Sequence, residues 1–419
     1  MPERVCVIGA GASGMTASIA AARCGAVVTV LERRERVGKK LLLTGNGKCN
    51  FTNRNLDPGC FHASRDSFAF RAISDFGLQN TVNFFEGMGV IAKEGKGGCI
   101  YPRSEQASGV QNALRGEMNR LGVRILTDCK VKMIRPESGH SFSVLTDGEK
   151  IPADRVILAA GSPAGMKEGT DIAGYELASA LGHTIHKILP ALCPLFCAEK
   201  NFFRETAGVR TDAEIRCLVD GTEADRSYGE MQLTSFGLSG IPVFQISRTA
   251  SIALSQKKKV TCRVNFLPEV ISPEDYLKNR LYAYPYENAG MFGNGLLNKN
   301  LWSALLKEAG IKPETGMKNI RTEDIKELAA RLSASVFTVV KPAGFENAQS
   351  CTGGVSTEEI NPHTMESLLV PGLYFAGEMM DVDGLCGGYN LQWAWTSGML
   401  AGLAAAGKTC SFETKEESI

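Results

Sequence analysis

The stretch Val5-Cys6-Val7-Ile8-Gly9-Ala10-Gly11-Ala12-Ser13-Gly14 decides the fold of this chain. Its first four residues are apolar and predict a short buried strand. The next six have the pattern G-x-G-x-x-G, and the alanine-rich residues 15–24 predict a helix that ends at Gly25. A second β-branched run, residues 27–31, predicts the next strand. Strand, glycine turn, helix and strand together predict a βαβ unit of an α/β fold.

Each glycine of this turn has a distinct physical role. Gly9 permits a tight turn, Gly11 lets the backbone approach a pyrophosphate, and Gly14 allows the helix to pack closely on the strand. The helix N-terminus offers unpaired N–H groups and a partial positive charge to phosphates. Glu32 follows Gly14 by 18 residues, where its carboxylate can accept hydrogen bonds from ribose hydroxyls. The pattern predicts a dinucleotide-binding site, the alternative being a purely structural glycine turn.

Two further segments favour FAD over NAD as the dinucleotide. A second glycine loop, residues 41–50, follows the basic residues 33–40. A long flavin cofactor would use this loop, and an ordinary strand-to-helix connection is the alternative. Residues 372–378 predict a strand, followed by a glycine loop and a helix of small residues that begins near Gly388. A helix N-terminus there would stabilise the negative charge of a reduced flavin, which NAD does not require.

The bulk composition excludes several classes of protein. The chain has 46 Lys and Arg against 45 Asp and Glu, so it lacks the basic excess of a general nucleic-acid binder. Its 13 cysteines include no C-x-x-C pair, which disfavours a thioredoxin-type dithiol and a zinc ribbon. The five histidines are scattered without metal-ligand spacing, and no metal is expected. The 45 glycines among 419 residues exceed the average share of about 7% and concentrate in loops.

Two uncharged stretches, residues 5–22 and 384–407, have the length of membrane spans. Both are interrupted by glycines, and the second also contains amides, so we interpret them as buried elements of a soluble protein. Residues 1–4, Met-Pro-Glu-Arg, are a poor start for a secretory signal. We therefore expect a cytoplasmic protein without a membrane partner.

Five segments carry a resemblance to a known family: VCVIGAGASGMTA, GKKLLLTGNGKCNFTN, GEMQLTSFGLSG, TGGVSTEEINPHTMES and GLYFAGEMMDVDGLCGGYN. The chain resembles the two-dinucleotide-binding-domain flavoproteins. More narrowly, it is similar to the bacterial FAD-dependent oxidoreductases that include bile-acid Δ4,6-reductases and aminoacetone-oxidase-like proteins. The resemblance implies a discontinuous Rossmann-like FAD-binding domain, residues 1–190 and 336–419. It also implies an inserted β-rich domain, residues 191–270, and a small helical domain, residues 271–335.

The resemblance implies a set of cofactor-binding residues. The adenosine diphosphate half of FAD would be held by Gly9, Gly11, Ala12, Ser13, Gly14, Glu32, Arg33, Lys40 and Leu41, with the backbone of Val131 at the adenine edge. The ribityl, phosphate and ring regions would be met by Gly47, Asn50, Gly377, Glu378, Asp381, Gly388, Asn390 and Leu391.

A third strand is expected to pass near the cofactor. Residues 129–134 and 141–145 predict a β-meander that leads into residues 153–161. This strand brings Ala160 and Gly161 to the site. Family members commonly have Ala-Thr-Gly-Gly where this chain has Ala159-Ala160-Gly161-Ser162. The resemblance therefore implies that this chain lacks a Thr hydroxyl able to bond the cofactor, and FAD binding is still expected.

The expected chemistry is the reduction of an activated C=C bond. The resemblance implies hydride transfer from flavin N5 to an enone of a 3-oxo-steroid or bile-acid-like small molecule. No second strand–G-x-G-x-x-G–helix unit is visible, so NAD(P)H would dock transiently as the electron donor. Arg103 and Tyr389 are the candidate catalytic residues, and a structural or cofactor-positioning role is the alternative for each. Aromatic residues that would wall the substrate pocket, or else pack a domain interface, are Tyr282, Tyr284, Tyr286 and Phe292.

Two other functions stay open. One is a flavin amine oxidase that passes electrons to oxygen. The other is a redox sensor or RNA-associated flavoprotein, although the balanced charge disfavours RNA. The sequence does not indicate an oligomeric state.

Overall fold

The computed structural model describes residues 1–166, 172–283 and 286–408, and it forms two compact units. Unit 1 comprises Met1–Ile188 together with Ser350–Ile419, and unit 2 comprises Leu189–Gln349. Both ends of the chain therefore build unit 1, while one continuous segment builds unit 2. The predicted fold class, a Rossmann-like α/β domain with an inserted β-rich region and helices, is confirmed.

A five-stranded sheet forms the centre of unit 1, and each neighbouring pair of its strands is parallel. In order across the sheet, the strands are Leu373–Phe375, Arg155–Leu158, Arg4–Ile8, Val27–Leu31 and Arg124–Leu126. Their runs of Val, Ile and Leu suit a parallel sheet that is covered on both faces. One edge strand comes from the end of the chain, so this domain is complete only when both ends have folded together.

The carboxyl ends of the parallel strands bring distant parts of the sequence to one edge of the sheet. Gly9, Glu32 and Ala159 each follow the last residue of a strand directly, and Gly377 comes two residues after a strand. In open α/β sheets, ligands bind in the crevice outside these carboxyl ends. The sheet therefore gathers the predicted cofactor residues at the edge where such sites occur.

The first helix, Ala12–Arg23, packs against the long C-terminal helix, Tyr389–Ala405. Glycines allow the close approach. A Cβ atom added to Gly398 would lie 2.5 Å from the carbonyl oxygen of Ser13, and one added to Gly402 would lie 2.3 Å from that of Ala17. The uncharged stretches of the sequence are thus rich in small residues where their backbones touch.

The remaining elements of unit 1 are helices and small sheets. The helices are Phe68–Asp75, Leu78–Glu86, Ala107–Arg120 and Ala173–Ala180. The strands are Thr52–Asn53, Phe61–Ala63, Ala92–Glu94, Cys99–Pro102, Val131–Glu137, Ser141–Thr146, Lys150–Ala153, Ser350–Val355 and Val382–Gly384, while the strand Ile185–Ala191 spans the boundary between the two units in the sequence. Three of these strands, from Val131 to Ala153, form the predicted meander that leads into the sheet. No helix among the described residues is both long and apolar enough to span a membrane.

Unit 2 contains a closed barrel of six antiparallel strands and a group of helices. The strands in barrel order are Leu195–Cys197, Gly237–Gly240, Thr222–Thr234, Arg210–Val219, Val260–Asn265 and Ser335–Pro342. The helices are Lys200–Glu205, Ile241–Ser255, Pro273–Ala283, Ala289–Phe292, Lys299–Glu308 and Thr322–Ala334. One apolar core joins barrel and helices, so they fold as one body.

The division of the chain differs from the predicted domain boundaries. The strand Ser335–Pro342 pairs with both Val260–Asn265 and Leu195–Cys197 and so closes the barrel, whereas residues 336–419 were expected in the FAD-binding domain. The helical residues 271–335 also share a core with the barrel. The sequence of a single apolar strand does not indicate to which domain the strand belongs, because the strands that pair with it are distant in the sequence.

Candidate dinucleotide-binding site

The three glycines of the cradle, residues 9–14, meet different surroundings. A Cβ atom on Gly9, which has φ +103°, would lie 2.4 Å from the carbonyl oxygen of Ala159. A Cβ atom on Gly14 would lie 1.9 Å from the carbonyl oxygen of Gly9. A Cβ atom on Gly11 would meet nothing within 4 Å. The outer glycines are therefore required by packing within the protein, whereas Gly11 leaves a free approach to the backbone from outside.

The first helix presents its N-terminus at this free approach. Gly11 is its N-cap and provides no capping side chain, and Ala12 and Ser13 form its start. The first N–H groups of a helix have no partner within the helix, and they carry partial positive charge. Nothing in the cap satisfies them, so a phosphate can accept hydrogen bonds from them.

Glu32 holds the loops of the cradle together. One of its carboxylate oxygens accepts a hydrogen bond from the N–H of Ala10 at 2.8 Å, and the other accepts one from the N–H of Arg34 at 3.0 Å. The side chain is largely buried. Each carboxylate oxygen retains a further lone pair, so the group can also accept a ribose hydroxyl.

A pocket opens beside the cradle, at the carboxyl ends of the sheet strands where ligands bind in open α/β folds. Its wall includes six of the residues predicted to bind cofactor: Gly9, Glu32, Arg33, Val131, Ala160 and Gly161. Tyr175 and Leu177 from the helix Ala173–Ala180 complete another part of the wall. Five separate segments of the sequence thus line one pocket beside the cradle.

The two ends of the chain meet at Lys40 and Glu378. The Lys40 ammonium donates to one Glu378 carboxylate oxygen at 2.5 Å, and the other oxygen accepts the N–H of Cys351 at 3.2 Å. Asp381 accepts the N–H of Gly353 at 3.0 Å. These bonds connect the predicted adenosine diphosphate side of the site to its predicted ribityl side. Leu41, next to Lys40, is buried.

The start of the C-terminal helix faces Asn50. The N-cap Gly388 has φ +97°, and a Cβ atom there would lie 2.9 Å from Asn50 Oδ1. That oxygen is buried and has no hydrogen-bond partner within the described residues. The Asn390 side chain is already used, since it accepts from the N–H and donates to the carbonyl of Gly384, both at 2.9 Å. Asn390 and Leu391 therefore offer backbone N–H groups rather than side chains.

The family described as HI0933-like protein Rossmann domain matches residues 3–404. The chain belongs to this HI0933-like family of flavoproteins. Among known proteins, 3-dehydro-bile acid delta(4,6)-reductase from Clostridium scindens is 42% identical over 408 residues, which cover 96% of this chain and 99% of the relative. Ribosomal RNA dihydrouridine synthase from Escherichia coli is 29% identical over 395 residues, which cover 93% and 95%. The predicted family is confirmed.

Solved structures resemble the HI0933-like chain more distantly. The open conformation of a flavocytochrome c3 fumarate reductase is 18% identical with a TM-score of 0.49, over 97% of this chain and 78% of that one. A 3-ketosteroid Δ1-dehydrogenase from Sterolibacterium denitrificans is 11% identical with a TM-score of 0.49, over 96% and 99%.

The candidate catalytic residues of this HI0933-like protein lie in different surroundings. Tyr389 begins the C-terminal helix and is buried, with its ring edge-on to Phe61 at a centroid distance of 5.9 Å and its hydroxyl beside the Cys60 thiol. Burial and the neighbouring thiol raise the pKa of the Tyr389 phenol, so the hydroxyl keeps its proton at neutral pH. Arg103 is exposed after the strand Cys99–Pro102. Both catalytic roles stay predictions.

Gly47 and Gly377, which are also predicted to contact the cofactor, both have a positive φ. Gly47 is exposed in its loop with φ +83°. Gly377 has φ +77°, and a Cβ atom there would lie 2.4 Å from Ser13 Oγ, so this glycine is needed where the last sheet strand meets the cradle. These cofactor roles also stay predictions.

The aromatic residues proposed for a substrate wall largely pack against one another. Phe292 is buried between Tyr286, at a ring-centroid distance of 5.3 Å, and Trp302, at 6.1 Å. Tyr282 is 87% exposed, and Tyr284 lies outside the described residues. The packing alternative therefore accounts for Phe292 and Tyr286.

Side chains that pattern reasoning missed anchor the C-terminal helix. The buried Gln392 amide accepts from the Thr52 hydroxyl at 2.5 Å and donates to the Thr81 hydroxyl at 2.9 Å. The Trp395 indole N–H donates to the carbonyl of Phe51 at 2.8 Å. These bonds hold the helix start against the loop that carries Asn50. A buried amide inside an apolar helix was the available signal, because such a group needs partners.

A histidine that the sequence left unassigned also has a defined place. His183 Nε2 accepts from the Ser367 hydroxyl at 2.9 Å, and Nδ1 lies 3.0 Å from a Glu359 carboxylate oxygen. Ser367 Oγ accepts the N–H groups of Leu369 and Val370, so its one proton is left for His183. The group closes a turn and does not activate a nucleophile. Within the residues described, no group of three or more His, Cys, Asp and Glu is placed to hold a metal.

Proposed function

We propose that this protein is an FAD-dependent reductase of an activated C=C bond in a steroid-like enone, with NAD(P)H as the electron donor. The observation that carries the proposal is the 42% identity, over nearly the full length of both chains, to a protein named 3-dehydro-bile acid delta(4,6)-reductase. A small-molecule substrate and a cytoplasmic location belong to the same proposal.

The residues of unit 1 fit an FAD cofactor. Gly11 leaves the backbone open to a pyrophosphate, and the adjoining pocket is lined by Glu32, Arg33 and Val131, which are predicted to hold the adenosine half of FAD. The Lys40–Glu378 hydrogen bond joins residues predicted for the adenosine diphosphate side and the ribityl side of the site. Beside the start of the C-terminal helix, the buried Asn50 oxygen has no hydrogen-bond partner among the described residues, and an unsatisfied buried acceptor costs about 1–3 kcal/mol unless a ligand donates to it.

When bound, FAD would supply the hydride that is transferred to the β-carbon of the enone. The chain's own groups prepare this reaction. The positive end of the C-terminal helix, with unpaired N–H groups at Asn390 and Leu391, stabilises negative charge placed against it. The reaction also needs a proton at the α-carbon of the substrate. Tyr389, whose hydroxyl stays protonated at neutral pH, and Arg103 are the proposed groups that hold the carbonyl or supply this proton.

Anaerobic rapid mixing tests the proposal. The FAD-loaded protein should lose its visible flavin absorbance on mixing with NADH or NADPH, and a 3-oxo-steroid with a conjugated C=C bond should restore it. The saturated 3-oxo-steroid of the same skeleton is the matched control and should leave the reduced flavin unchanged. A protein that takes up no FAD, or whose reduced flavin ignores every enone, would contradict the proposal.

A second candidate is the reduction of uridine in RNA. Two relatives named ribosomal RNA dihydrouridine synthase, from Escherichia coli and Haemophilus influenzae, are 29% and 28% identical over nearly the whole chain. A groove in unit 1 is lined by Arg36, Lys39 and Arg115 together with Gln111 and Asn119, and cations with amides suit a phosphate backbone. The overall charge balance gives this candidate less support.

The same rapid-mixing experiment separates the candidates. Reoxidation of the reduced flavin by a uridine-containing RNA fragment, and not by enones, would replace the steroid proposal with the RNA one. Bleaching by a primary amine, with reoxidation by oxygen, would indicate an amine oxidase. A flavin that responds to none of these would indicate a redox sensor.

A further inference from the structure

Tyr175 carries a buried hydroxyl without a partner at the edge of the candidate site. The residue lies in the helix Ala173–Ala180, lines the cavity beside the cradle and is 4% exposed. Its hydroxyl makes no hydrogen bond within the described residues. Such a group costs about 1–3 kcal/mol when it stays unsatisfied, so its placement needs an explanation.

The groups around this hydroxyl do not provide the missing acceptor. Cys351, Glu378 and Asp381 are its electrostatic neighbours. The Glu378 oxygens accept from Lys40 and from the N–H of Cys351, Asp381 accepts from the N–H of Gly353, and neither carboxylate bonds the Tyr175 hydroxyl. Burial and the nearby carboxylates raise the pKa of the Tyr175 phenol well above its usual value. The hydroxyl is therefore a neutral donor, held at the point where the two predicted halves of the cofactor site meet.

We propose that Tyr175 is a cofactor-positioning residue whose hydroxyl donates a hydrogen bond to an oxygen of the ribityl–pyrophosphate linker of FAD. The inference rests on the proposed function only in requiring FAD as the dinucleotide. A linker oxygen suits the place, because Tyr175 lines the same pocket as Gly9 and Gly161, and the charges of Glu378 and Asp381 act on its hydroxyl. The bond connects the cradle side of the site to the side that carries the ring.

The substitution Tyr175→Phe should affect the stability of the apoprotein and the affinity for FAD in opposite ways. Without FAD it removes a buried hydroxyl that has no partner, so the urea midpoint of the apoprotein should stay the same or rise. With FAD it removes one hydrogen bond to the linker, so the dissociation constant for FAD should rise about tenfold. A merely structural tyrosine would lower apoprotein stability and leave the FAD dissociation constant unchanged.

Tyr374→Phe is the matched control. Tyr374 is also buried in unit 1, but its hydroxyl donates to the carbonyl of Ala404 at 3.5 Å, a protein acceptor at the far end of the C-terminal helix. Its removal should affect the apoprotein and the FAD-bound protein equally. The dissociation constant for FAD should therefore match that of the unsubstituted protein.

Binding of ADP locates the bond along the linker. If Tyr175→Phe weakens the binding of ADP as well as that of FAD, the acceptor is a pyrophosphate oxygen. If it weakens the binding of FAD alone, the acceptor belongs to the ribityl chain.

An unchanged FAD dissociation constant, or an apoprotein destabilised as much as the FAD-bound protein, would overturn the inference. If the unsubstituted protein bound no FAD, both proposals would fail. If it bound FAD but reduced no enone, only the reductase proposal would fail.

Discussion

The cradle region of unit 1 and the barrel of unit 2 differ in how completely they satisfy their own buried groups. Three buried side-chain atoms lack hydrogen-bond partners in the described residues, and all three lie in unit 1: Asn50 Oδ1, Tyr175 OH and His186 Nε2. Two of them border the candidate cofactor site. Since buried polar groups are normally paired, this difference indicates that unit 1 reaches its full complement of bonds only with a ligand.

Glycines show the same difference. In the barrel, a Cβ atom on Gly237 would lie 2.1 Å from the carbonyl oxygen of Leu195, so this glycine serves the packing of neighbouring strands. In the cradle, Gly11 faces open space. Three barrel thiols, Cys197, Cys217 and Cys262, are buried, and burial raises the pKa of each. The barrel interior is thus apolar, while the cradle leaves its backbone accessible at Gly11.

The largest expected effect is the loss of a core side chain from the barrel. Ile215 is fully buried in the barrel core, so Ile215→Ala should lower the free energy of unfolding by about 2–5 kcal/mol. Urea denaturation with and without FAD should show the same loss in both states. Ile215→Val, which should cost about 0.5–1.5 kcal/mol, is the matched control. A loss seen only with FAD would mean that the barrel, too, depends on the ligand.

A cradle substitution should separate packing from ligand approach. Gly14→Ala places a Cβ atom 1.9 Å from the carbonyl oxygen of Gly9, so we expect about 1–3 kcal/mol of lost stability in the apoprotein together with lost FAD binding. Gly11→Ala meets no atom within 4 Å, so it should weaken FAD binding with less effect on the apoprotein. Thermal melting and FAD titration measure the two effects. Equal apoprotein losses for the two variants would contradict this assignment.

Acid should act first on unit 1, because all five histidines lie there and residues 189–349 contain none. Burial lowers the pKa of His183 below its ordinary value of 6.5. The unfolded chain therefore binds the proton more tightly than the folded one. The stability from neutral His183 is complete above pH 6.5 and falls as the pH drops towards the folded pKa, by at most about 1.4 kcal/mol per pH unit.

Urea midpoints measured from pH 7.5 to pH 5 test this slope. His183→Gln should flatten it. If the variant keeps the full slope, His183 is not the group responsible.

The smallest expected effect on the free energy of unfolding comes from breaking either of two ion pairs of similar length. Lys40–Glu378 in unit 1 measures 2.5 Å, with Lys40 38% exposed, and Lys307–Glu205 in unit 2 measures 2.6 Å, with Lys307 67% exposed. Each Lys→Met substitution should change the free energy of unfolding by about 1 kcal/mol or less. Only Lys40→Met should weaken FAD binding, as followed by fluorescence titration. An equal effect of Lys307→Met on FAD would remove the distinction between the two pairs.

The local parts of the candidate site could be predicted from sequence, and the distant contacts could not. Gly11 and Glu32 belong to one βαβ unit, whose spacing determines their places. Tyr175 carries no such signal, because its significance depends on a missing partner that only the fold reveals. The strand Ser335–Pro342 was assigned to the wrong side of a boundary for a similar reason, since its barrel partners lie about 70 to 150 residues away in sequence.

The sequence by itself determined the α/β class, the dinucleotide cradle and the family, because each of these rests on short-range periodicity or on motifs within a few tens of residues. The tertiary structure decided how the chain divides into two units and which strands close the barrel. It also decided which buried groups remain unsatisfied. These features depend on long-range packing and on whether each polar atom finds a partner, and both are determined only when distant segments come together.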